Sequence, residues 1–264
     1  MKYDEKKRGT GPETDGVSDN SELKIEGRHA VLEAFRAGRS IDRVLVQENL
    51  NDGPIRSVIK AAREAKTLLT FVSKDKLDAL SDTGRHQGVI AMAAAMTYAS
   101  VDDMLKRAAD RGEPPFLILL DGIEDPHNLG AIIRTAEVAG AHGVIIPKHH
   151  ATGLTATVMR TSAGALNYLP IARVTNLKKT IDELKEKGLW FVCADMDGRS
   201  MYDLDLKGPI GVVVGNEGSG VSRLVSEACD MTAAIPMFGE VTSLNASVAA
   251  GVLVYEIVRQ RCGR

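Results

Sequence analysis

Three polar, glycine-bearing segments carry the side chains of this chain that are best suited to chemistry. They read Asp-Gly-Ile-Glu-Asp-Pro-His-Asn-Leu-Gly-Ala-Ile-Ile-Arg at 121–134, Gly-Asn-Glu-Gly-Ser-Gly at 215–220 and Ile-Pro-Met-Phe-Gly-Glu-Val-Thr-Ser-Leu-Asn-Ala-Ser at 235–247. Each segment follows an apolar run that is typical of a buried strand. Loops that follow parallel strands meet at the carboxyl edge of an α/β sheet, where such sheets bind ligands. The sequence therefore predicts one site built from all three segments.

The polar side chains in these segments are ones that a packed core would not select. They are Asn128, Arg134, Glu217, Ser243 and Asn245. In the helix expected after Asn128, Arg134 lies about 140° from the apolar stripe that begins at Leu129, at roughly 100° per residue. Arg134 is therefore expected to point away from the core, as an ordinary surface arginine would. Asn128 and Ser243 also suit helix N-caps, so capping is an alternative role for both.

The glycines at 215–220 do not follow the pattern of a dinucleotide-binding fold. That pattern is Gly-x-Gly-x-x-Gly in an early βα unit, whereas this segment is Gly-x-x-Gly-x-Gly and lies late in the chain. Glu217 would also repel a pyrophosphate. A nucleotide-dependent oxidoreductase is therefore disfavoured, and a cationic or hydroxyl-bearing ligand suits the turn better. A tight turn with an exposed glutamate is the structural alternative.

The composition is that of an ordinary globular protein, with 44% hydrophobic residues, 26% charged residues and a net charge of −2. This balance argues against a non-specific, charge-driven nucleic-acid binder. Three scattered cysteines fit a reducing compartment, and no histidine or cysteine has metal-ligand spacing. The apolar runs are far shorter than the ~20 residues that span a bilayer, and the charged N-terminus does not resemble a secretory signal. We expect a cytoplasmic protein that binds neither a metal nor a membrane.

The chain divides into a tail, two α/β units and a linker. Residues 1–22 are too polar to bury a core and are expected to form a disordered tail, whose basic residues 6–8 are solvated or touch RNA. Residues 23–95 form an N-terminal unit with 12 Lys/Arg and 9 Asp/Glu between positions 24 and 98, a net charge of +3 that permits a basic face. Residues 96–115 form the linker. Residues 116–264 repeat strand–loop–helix units and form a C-terminal unit with a parallel sheet covered on both faces.

Hydrophobic periodicity predicts where the helices and strands lie. In the C-terminal unit, strands are expected near Phe116–Leu120, Gly143–Ile146, Leu169–Ile171, Trp190–Ala194, Ile210–Val214 and Thr232–Ile235, and helices near Leu129–Ala139, Leu154–Gly164, Leu177–Lys187, Ser222–Ala228 and Leu244–Arg261. Small residues in the last helix would allow a close approach, as in a tight dimer or an intrachain helix crossing.

Taken together, the three segments resemble the sequence motifs of the SpoU family of S-adenosylmethionine-dependent RNA ribose 2′-O-methyltransferases, which is part of the SPOUT superfamily. The likeness rests on Pro126–Gly130 with Arg134, on Gly215–Gly220, and on Ile235–Met237 with Ser243–Ala249. It covers about 150 residues and keeps the order and spacing of the motifs. Any one run is weak, but the three together are specific.

The N-terminal unit resembles the partner domain of one branch of this family, which is like a small RNA-binding ribosomal protein of the L30e type. Glu26–Val31 and His86–Ala91 carry this second likeness. The resemblance implies an α/β fold in which a small L30e-like domain precedes a C-terminal trefoil-knot domain, and a homodimer formed through the C-terminal domain. It further implies S-adenosyl-L-methionine as cofactor and methylation of a ribose in RNA, most closely a guanosine of 23S ribosomal RNA.

The resemblance also assigns roles to single residues. Gly215, Ile235 and Leu244 match positions whose backbone holds the cofactor, and Asn128, Arg134, Glu217, Ser243 and Asn245 match the polar catalytic set. The methyl group of a sulfonium is already electrophilic, so the enzyme has to align a ribose hydroxyl and help its proton leave. Because a guanidinium stays protonated in proteins, we expect Arg134 to stabilise developing negative charge, and the proton acceptor is unassigned.

Two other functional classes stay open. A protein that keeps the fold but only binds RNA or assists ribosome assembly need not bind S-adenosylmethionine. A methyltransferase of the same family could act on transfer RNA, or on another ribosomal site whose modification confers antibiotic resistance. The N-terminal unit favours ribosomal RNA by analogy with related proteins.

Overall fold

The computed structural model describes residues 23–263, so the tail predicted at 1–22 lies outside the described residues. The N-terminal unit consists of β1 (Lys24–Glu26), α1 (Arg28–Arg36), β2 (Ile41–Gln47), α2 (Gly53–Glu64), β3 (Leu68–Val72), α3 (Lys74–Leu80) and β4 (Val89–Ala93). Its four strands form a sheet in the order β1-β4-β2-β3, in which only β2 and β3 are parallel. α1 and α2 bury Val31, Ile55 and Val58 against this sheet.

The C-terminal unit is a parallel α/β sheet, as the sequence predicts. Its elements are β5 (Phe116–Asp121), α5 (Pro126–Val138), β6 (Gly143–Pro147), α6 (Ala156–Thr161), β7 (Ile171–Val174), α7 (Leu177–Glu186), β8 (Trp190–Ser200), β9 (Ile210–Gly215), α8 (Arg223–Ser226), β10 (Met231–Ala234) and α9 (Ala246–Arg261), preceded by α4 (Val101–Arg111). The six strands pair in parallel in the order β10-β8-β9-β5-β6-β7.

Both faces of this sheet are covered, which explains its continuous apolar strands. In β5, Ile118 and Leu120 pack into one core with α5 and α9, whereas Leu117 and Leu119 pack into the other core with α7. Met104 of α4 is fully buried in the second core, so the segment predicted as a linker contributes a helix to this unit. Alternate residues of one strand therefore serve opposite layers.

The strand order places a topological switch beside β5. The chain runs outward from β5 through β6 to β7, then returns to the other side of β5 for β8, β9 and β10. Ligands of open α/β sheets bind outside the carboxyl ends of the strands at such a point. The chain crossing that defines a trefoil knot is implied only by the family resemblance and stays a prediction.

Two expected helix starts are wrong, and both errors concern site residues. α5 begins at Pro126 with Asp125 as its N-cap, so Asn128 lies inside the first turn and does not cap the helix. α9 begins at Ala246 with Asn245 as its N-cap, so Ser243 does not cap it. Proline is favoured in the first turn of a helix because it has no N–H to leave unpaired, and this shifts the start of α5 upstream.

One strand was not predicted, and two strand predictions need correction. β1 pairs with β4 over three residues, too few to show a periodicity in the sequence. β7 is Ile171–Val174, where Leu169–Ile171 was expected. β8 extends to Ser200, well past Ala194, because its polar second half pairs with the edge strand β10. Polar side chains at a sheet edge face solvent and give no apolar signal.

A buried ion pair joins the two units. Asp42 of β2 and Arg173 of β7 lie 2.6 Å apart, and each side chain is 11% exposed. The hydroxyl of Tyr98 donates to Asp42 at 2.6 Å and accepts from the backbone N–H of Leu154 at 3.1 Å. The N-terminal sheet is therefore fixed to the C-terminal unit by directional contacts. Within residues 23–263, no helix combines the length and apolarity needed to cross a bilayer.

Candidate active site

The side chains of Asn128, Glu217 and Asn245 meet in one hydrogen-bonded cluster. Asn128 Nδ2 donates to Glu217 Oε1 at 2.9 Å, and Asn245 Nδ2 donates to Asn128 Oδ1 at 3.0 Å. Asn245 Nδ2 also donates to Glu217 Oε1. These residues come from the three segments that follow β5, β9 and β10. The polar cluster, as we call Asn128, Glu217 and Asn245, therefore joins three loops at the carboxyl edge of the sheet.

The polar cluster also fixes the start of α9. The backbone N–H of Ala246 donates to Glu217 Oε1 at 3.2 Å. Asn245 Oδ1 accepts from the backbone N–H groups of Ser247 at 3.0 Å and Val248 at 3.3 Å. The first N–H groups of a helix have no intrahelical partner, and they favour a nearby negative charge. Glu217 is thus held by the helix as well as by the two asparagines.

The glycine turn after β9 is packed too tightly for a side chain at Gly215. A Cβ added to Gly215 would lie 2.0 Å from the backbone carbon of Gly220. Asn216 and Gly220 close the turn with two backbone hydrogen bonds of 2.8 and 3.1 Å. The side chain of Asn216 donates to the carbonyl of Gly122 at 3.0 Å, so this turn is tied to the loop after β5. The turn thereby presents bare backbone beside the polar cluster.

A cavity of about 270 Å³ opens beside this turn. Gly215, Ile235 and Leu244, the three positions expected to hold a cofactor, all line it, together with Glu217 and Ser243. The other lining residues are Ala194, Asp195, Met196, Val214, Asn216, Gly218, Ser219, Gly220, Ala233, Met237, Ala246 and Ala249.

The cavity fits the chemistry of S-adenosylmethionine. Its apolar walls suit an adenine ring and methylene groups, and Gly215, Gly218 and Gly220 line it without side chains. Two carboxylates, Asp195 and Glu217, line a space that would hold a sulfonium cation. A cavity with few polar groups and two acids suits this cation better than a pyrophosphate-bearing dinucleotide.

Arg134 is not part of the polar cluster. Its side chain is exposed on α5, and within residues 23–263 it has neither a hydrogen-bond nor an ion-pair partner. Ser243 is also exposed and lies in the cavity wall. The structure therefore brings Asn128, Glu217 and Asn245 into direct contact, places Ser243 nearby, and leaves the Arg134 guanidinium free for a ligand.

Sequence reasoning missed three residues of this site. Asp195 and Met196 line the cavity from the second half of β8, which was predicted to end at Ala194. Asp121 accepts from the backbone N–H of Ser222 at 2.8 Å and so braces the glycine turn. Their place in the sequence could have identified them, because residues that directly follow a buried strand reach the same edge of the sheet.

Both units match models of known protein families. Residues 115–255 match the SpoU rRNA methylase family. Residues 24–99 match a family described as RNA 2′-O ribose methyltransferase substrate binding. The first match covers more than half of the chain and contains the polar cluster and all the residues that line the cavity.

Proteins that are similar to this chain in sequence or in structure are named as methyltransferases of the same kind. A Bacillus subtilis protein named for the TrmH family of tRNA/rRNA methyltransferases is 47% identical over 238 residues, which are 90% of this chain and 95% of the relative. The SpoU methyltransferase AviRb of Streptomyces viridochromogenes, solved with S-adenosylmethionine, is 28% identical with a TM-score of 0.59 over 91% of each chain. An S-adenosylmethionine-bound rRNA methyltransferase of Sinorhizobium meliloti is 25% identical with a TM-score of 0.56, over 90% of this chain and 87% of its own.

Proposed function

This chain belongs to the SpoU rRNA methylase family, and we propose that it methylates the 2′-hydroxyl of a guanosine ribose in 23S ribosomal RNA. At the coarser level, it is an S-adenosylmethionine-dependent RNA methyltransferase of the TrmH/SpoU family. The observation that carries methyl transfer as the activity is the contact of three loops in the polar cluster beside a cavity that suits the methyl donor.

Ribosomal RNA is favoured as the substrate by the similarity of both units to a known enzyme. The Sinorhizobium meliloti protein is described as an rRNA methyltransferase, and its likeness extends over 90% of this chain. The relative from Bacillus subtilis is named for tRNA and rRNA together, so transfer RNA is the alternative that an experiment has to separate. The choice of guanosine rests on the family resemblance of the two-unit layout.

We assign the residues of the site as follows. Gly215, Ile235 and Leu244 hold the cofactor along the cavity wall. When bound, S-adenosylmethionine supplies an electrophilic methyl group on a sulfonium. Glu217 Oε1 is used by the polar cluster, whereas Oε2 has no hydrogen-bond partner within residues 23–263 and can accept from the ribose hydroxyl. Asn128 and Asn245 set the orientation of that carboxylate.

Arg134 and Ser243 are the other two members of the proposed catalytic set, and both lie outside the polar cluster. The exposed guanidinium of Arg134 is suited to stabilise the charge that develops on the ribose oxygen, or to bind a neighbouring RNA phosphate. Ser243 lies in the cavity wall, where its hydroxyl can donate to a polar atom of cofactor or substrate. Neither side chain is held by the polar cluster, so both are available to a ligand.

A homodimer formed through the C-terminal unit belongs to this proposal. One face of α9 packs Ala250, Leu253 and Ile257 into the core. On the same helix, Val248 and Tyr255 are 49% and 48% exposed. An exposed apolar face on an otherwise buried helix suits a second copy of the chain. Analytical ultracentrifugation of the full chain, with Val248→Asp as the disrupting variant, measures this directly.

Methyl transfer from labelled S-adenosylmethionine tests the proposal. The full chain is incubated with unmodified 23S rRNA and, separately, with transfer RNA, and 2′-O-methyl groups are mapped in the products. We expect label in 23S rRNA at one guanosine. Label in transfer RNA alone would contradict the substrate assignment. RNA binding with no measurable S-adenosylmethionine binding would instead favour the non-catalytic assembly protein.

A further inference from the structure

A second cavity lies between the two units and is separate from the one beside the glycine turn. It has a volume of about 510 Å³. Arg43, Leu68 and Thr70 line it from the N-terminal sheet, and Glu124 and residues 149–152 line it from the C-terminal unit. We call this space the interdomain cleft. Neither the cofactor assignment nor the polar cluster uses it.

A β-bulge aims Arg43 into the interdomain cleft. Ile41 pairs with Ala93 and Arg43 with the adjacent Met92, so Asp42 is the extra residue in β2. Asp42 turns inward to its ion pair with Arg173, and Arg43 is left exposed. Bulges commonly re-aim side chains in this way.

Arg43 and His149 line the cleft with side-chain nitrogens that are available to a ligand. Arg43 has no hydrogen-bond or ion-pair partner within residues 23–263, and the same is true of His149. His150 has a φ of 55°, a left-handed conformation that is uncommon for a residue with a side chain. The one carboxylate in the lining, that of Glu124, lies 3.9 Å from His150 Nδ1. A guanidinium and the hydroxyls of Thr70 and Thr152 are typical donors to nucleic-acid phosphates, and an imidazole N–H can donate a hydrogen bond as well.

The cleft is preformed and leads to the methylation site. The Asp42–Arg173 pair adjoins Arg43 and fixes the spacing of the two walls. Arg173 also donates to the backbone carbonyl of Lys148, directly before the two histidines, at 3.2 Å. Glu124 lies in the loop that leads into α5, four residues before Asn128, so this loop connects one wall of the cleft to the polar cluster.

We propose that the interdomain cleft binds the phosphodiester backbone of a single-stranded RNA segment that flanks the methylated nucleotide. This inference rests on the proposed function, because a strand held here would run along the loop 122–125 toward the polar cluster. Arg43 and His149 contact phosphate oxygens, and the Asp42–Arg173 pair keeps their positions fixed. Phosphate contacts set the register of a nucleic acid without reading its sequence.

Binding of a short, fluorescently labelled single-stranded RNA of mixed sequence to the full chain tests the proposal. We expect Arg43→Ala to weaken RNA binding about 10-fold and to reduce the slope of log K against log salt by about 0.7, the value for one phosphate contact on a single strand. Arg43→Lys keeps the charge and should restore the slope, and His149→Ala should weaken binding on its own. The dissociation constant for S-adenosylmethionine should stay unchanged in all three variants.

Lys179→Ala is the matched control, since Lys179 lies on α7 and its side chain is 75% exposed. Wild-type RNA affinity and salt slope in both Arg43→Ala and His149→Ala would overturn the proposal. So would equal competition by inorganic phosphate and by RNA at the same phosphate concentration, which would indicate a simple anion site. Methyl transfer by the wild type is scored separately, so failure of the cleft proposal and failure of the proposed activity are distinguished.

Discussion

Asn128 and Glu217 are 89 residues apart in the chain, yet the amide of the first donates to the carboxylate of the second at 2.9 Å. Asn128 is only 9% exposed and belongs to the first turn of α5, and Glu217 belongs to the glycine turn after β9. The contact joins the loops of two neighbouring strands. A buried amide without its acceptor costs free energy, so this hydrogen bond stabilises the contact between α5 and the glycine turn.

Removing the carboxylate of Glu217 should separate its structural and chemical roles. Glu217→Ala leaves the amides of Asn128 and Asn245 without their shared acceptor, and we expect the free energy of unfolding to fall by about 1–3 kcal/mol. Glu217→Gln keeps an acceptor oxygen but loses the charge, so it should retain most of the stability and lose methyl transfer. Urea unfolding and single-turnover transfer measure the two effects. Full activity in Glu217→Gln would exclude the carboxylate from the reaction.

Arg134→Ala should slow methyl transfer by roughly 10²–10³, the usual loss for one preorganised donor at a developing negative charge. The guanidinium is exposed and has no partner within residues 23–263, so its removal should leave stability and S-adenosylmethionine affinity unchanged. Arg134→Lys keeps the positive charge and should recover part of the rate. Turnover within a factor of about 10 of the wild type, with normal cofactor affinity, would exclude a catalytic Arg134.

Gly215→Ala should damage the cofactor site. Its Cβ would lie 2.0 Å from backbone atoms of Gly220, which cannot move without opening the turn. We expect at least a 10-fold weaker dissociation constant for S-adenosylmethionine and a stability loss of about 1–3 kcal/mol. Gly208→Ala is the control, because a Cβ there meets no atom within 4 Å. Equal calorimetric affinities in the two variants would show that the turn does not shape the cavity.

Asp42→Ala should be strongly destabilising because it leaves the guanidinium of Arg173 buried without its counter-ion. Breaking a buried pair on one side costs about 3–5 kcal/mol. Lys178→Ala removes a pair whose side chains are 47% and 48% exposed, and it should cost less than about 1 kcal/mol. Urea unfolding measures the loss in the free energy of unfolding for both variants, Asp42→Ala and Lys178→Ala. The double variant Asp42→Ala/Arg173→Ala should recover stability relative to Asp42→Ala, and a further loss would contradict the pairing.

Glu26 should contribute to stability only above acidic pH. Burial raises the pKa of Glu26, but hydrogen bonds from Ser81, Thr83 and the backbone N–H of Asp82 outweigh it and lower the pKa from 4.5 to about 2. A carboxylate with a lowered folded-state pKa stabilises the fold above about pH 4.5, and this contribution is lost as the pH falls toward 2.

Unfolding free energies measured between pH 2 and pH 6 check the role of Glu26. We expect Glu26→Gln to flatten the acid loss of stability. Glu64→Gln is the control, because Glu64 is 69% exposed and only 3.8 Å from Lys60. An acid profile of Glu26→Gln that parallels the wild type would contradict the assignment.

The sequence predicts the structure best where a single pattern, such as an unbroken apolar run or a polar segment after a strand, is pronounced. The run Phe116–Leu120 reads as a strand buried on both faces, and its residues do alternate between two cores. The three polar segments were expected at one edge of the sheet, and Asn128, Glu217 and Asn245 do touch there. Strand ends are easy to locate when the apolar run stops abruptly.

The failures have physical causes as well. Asn128 and Asp125 are both good N-caps, and only the position of Pro126 decides between them. The pair of Asp42 and Arg173 spans 131 residues, and no local pattern predicts a contact at that separation. The trefoil knot came from resemblance alone, because the general expectation is that chains do not knot.

The hydrogen bond between Asn245 and Asn128 has a consequence for the synthesis of the protein. Asn245 bonds to Asn128 across 117 residues, so a growing chain cannot close the site until α9 has begun to leave the ribosome. Contacts of such long sequence separation form late, since a large loop has to be closed first. A polypeptide that has not yet reached Asn245 would therefore have no complete polar cluster, and we expect its modifying activity to begin only after that residue has been synthesised.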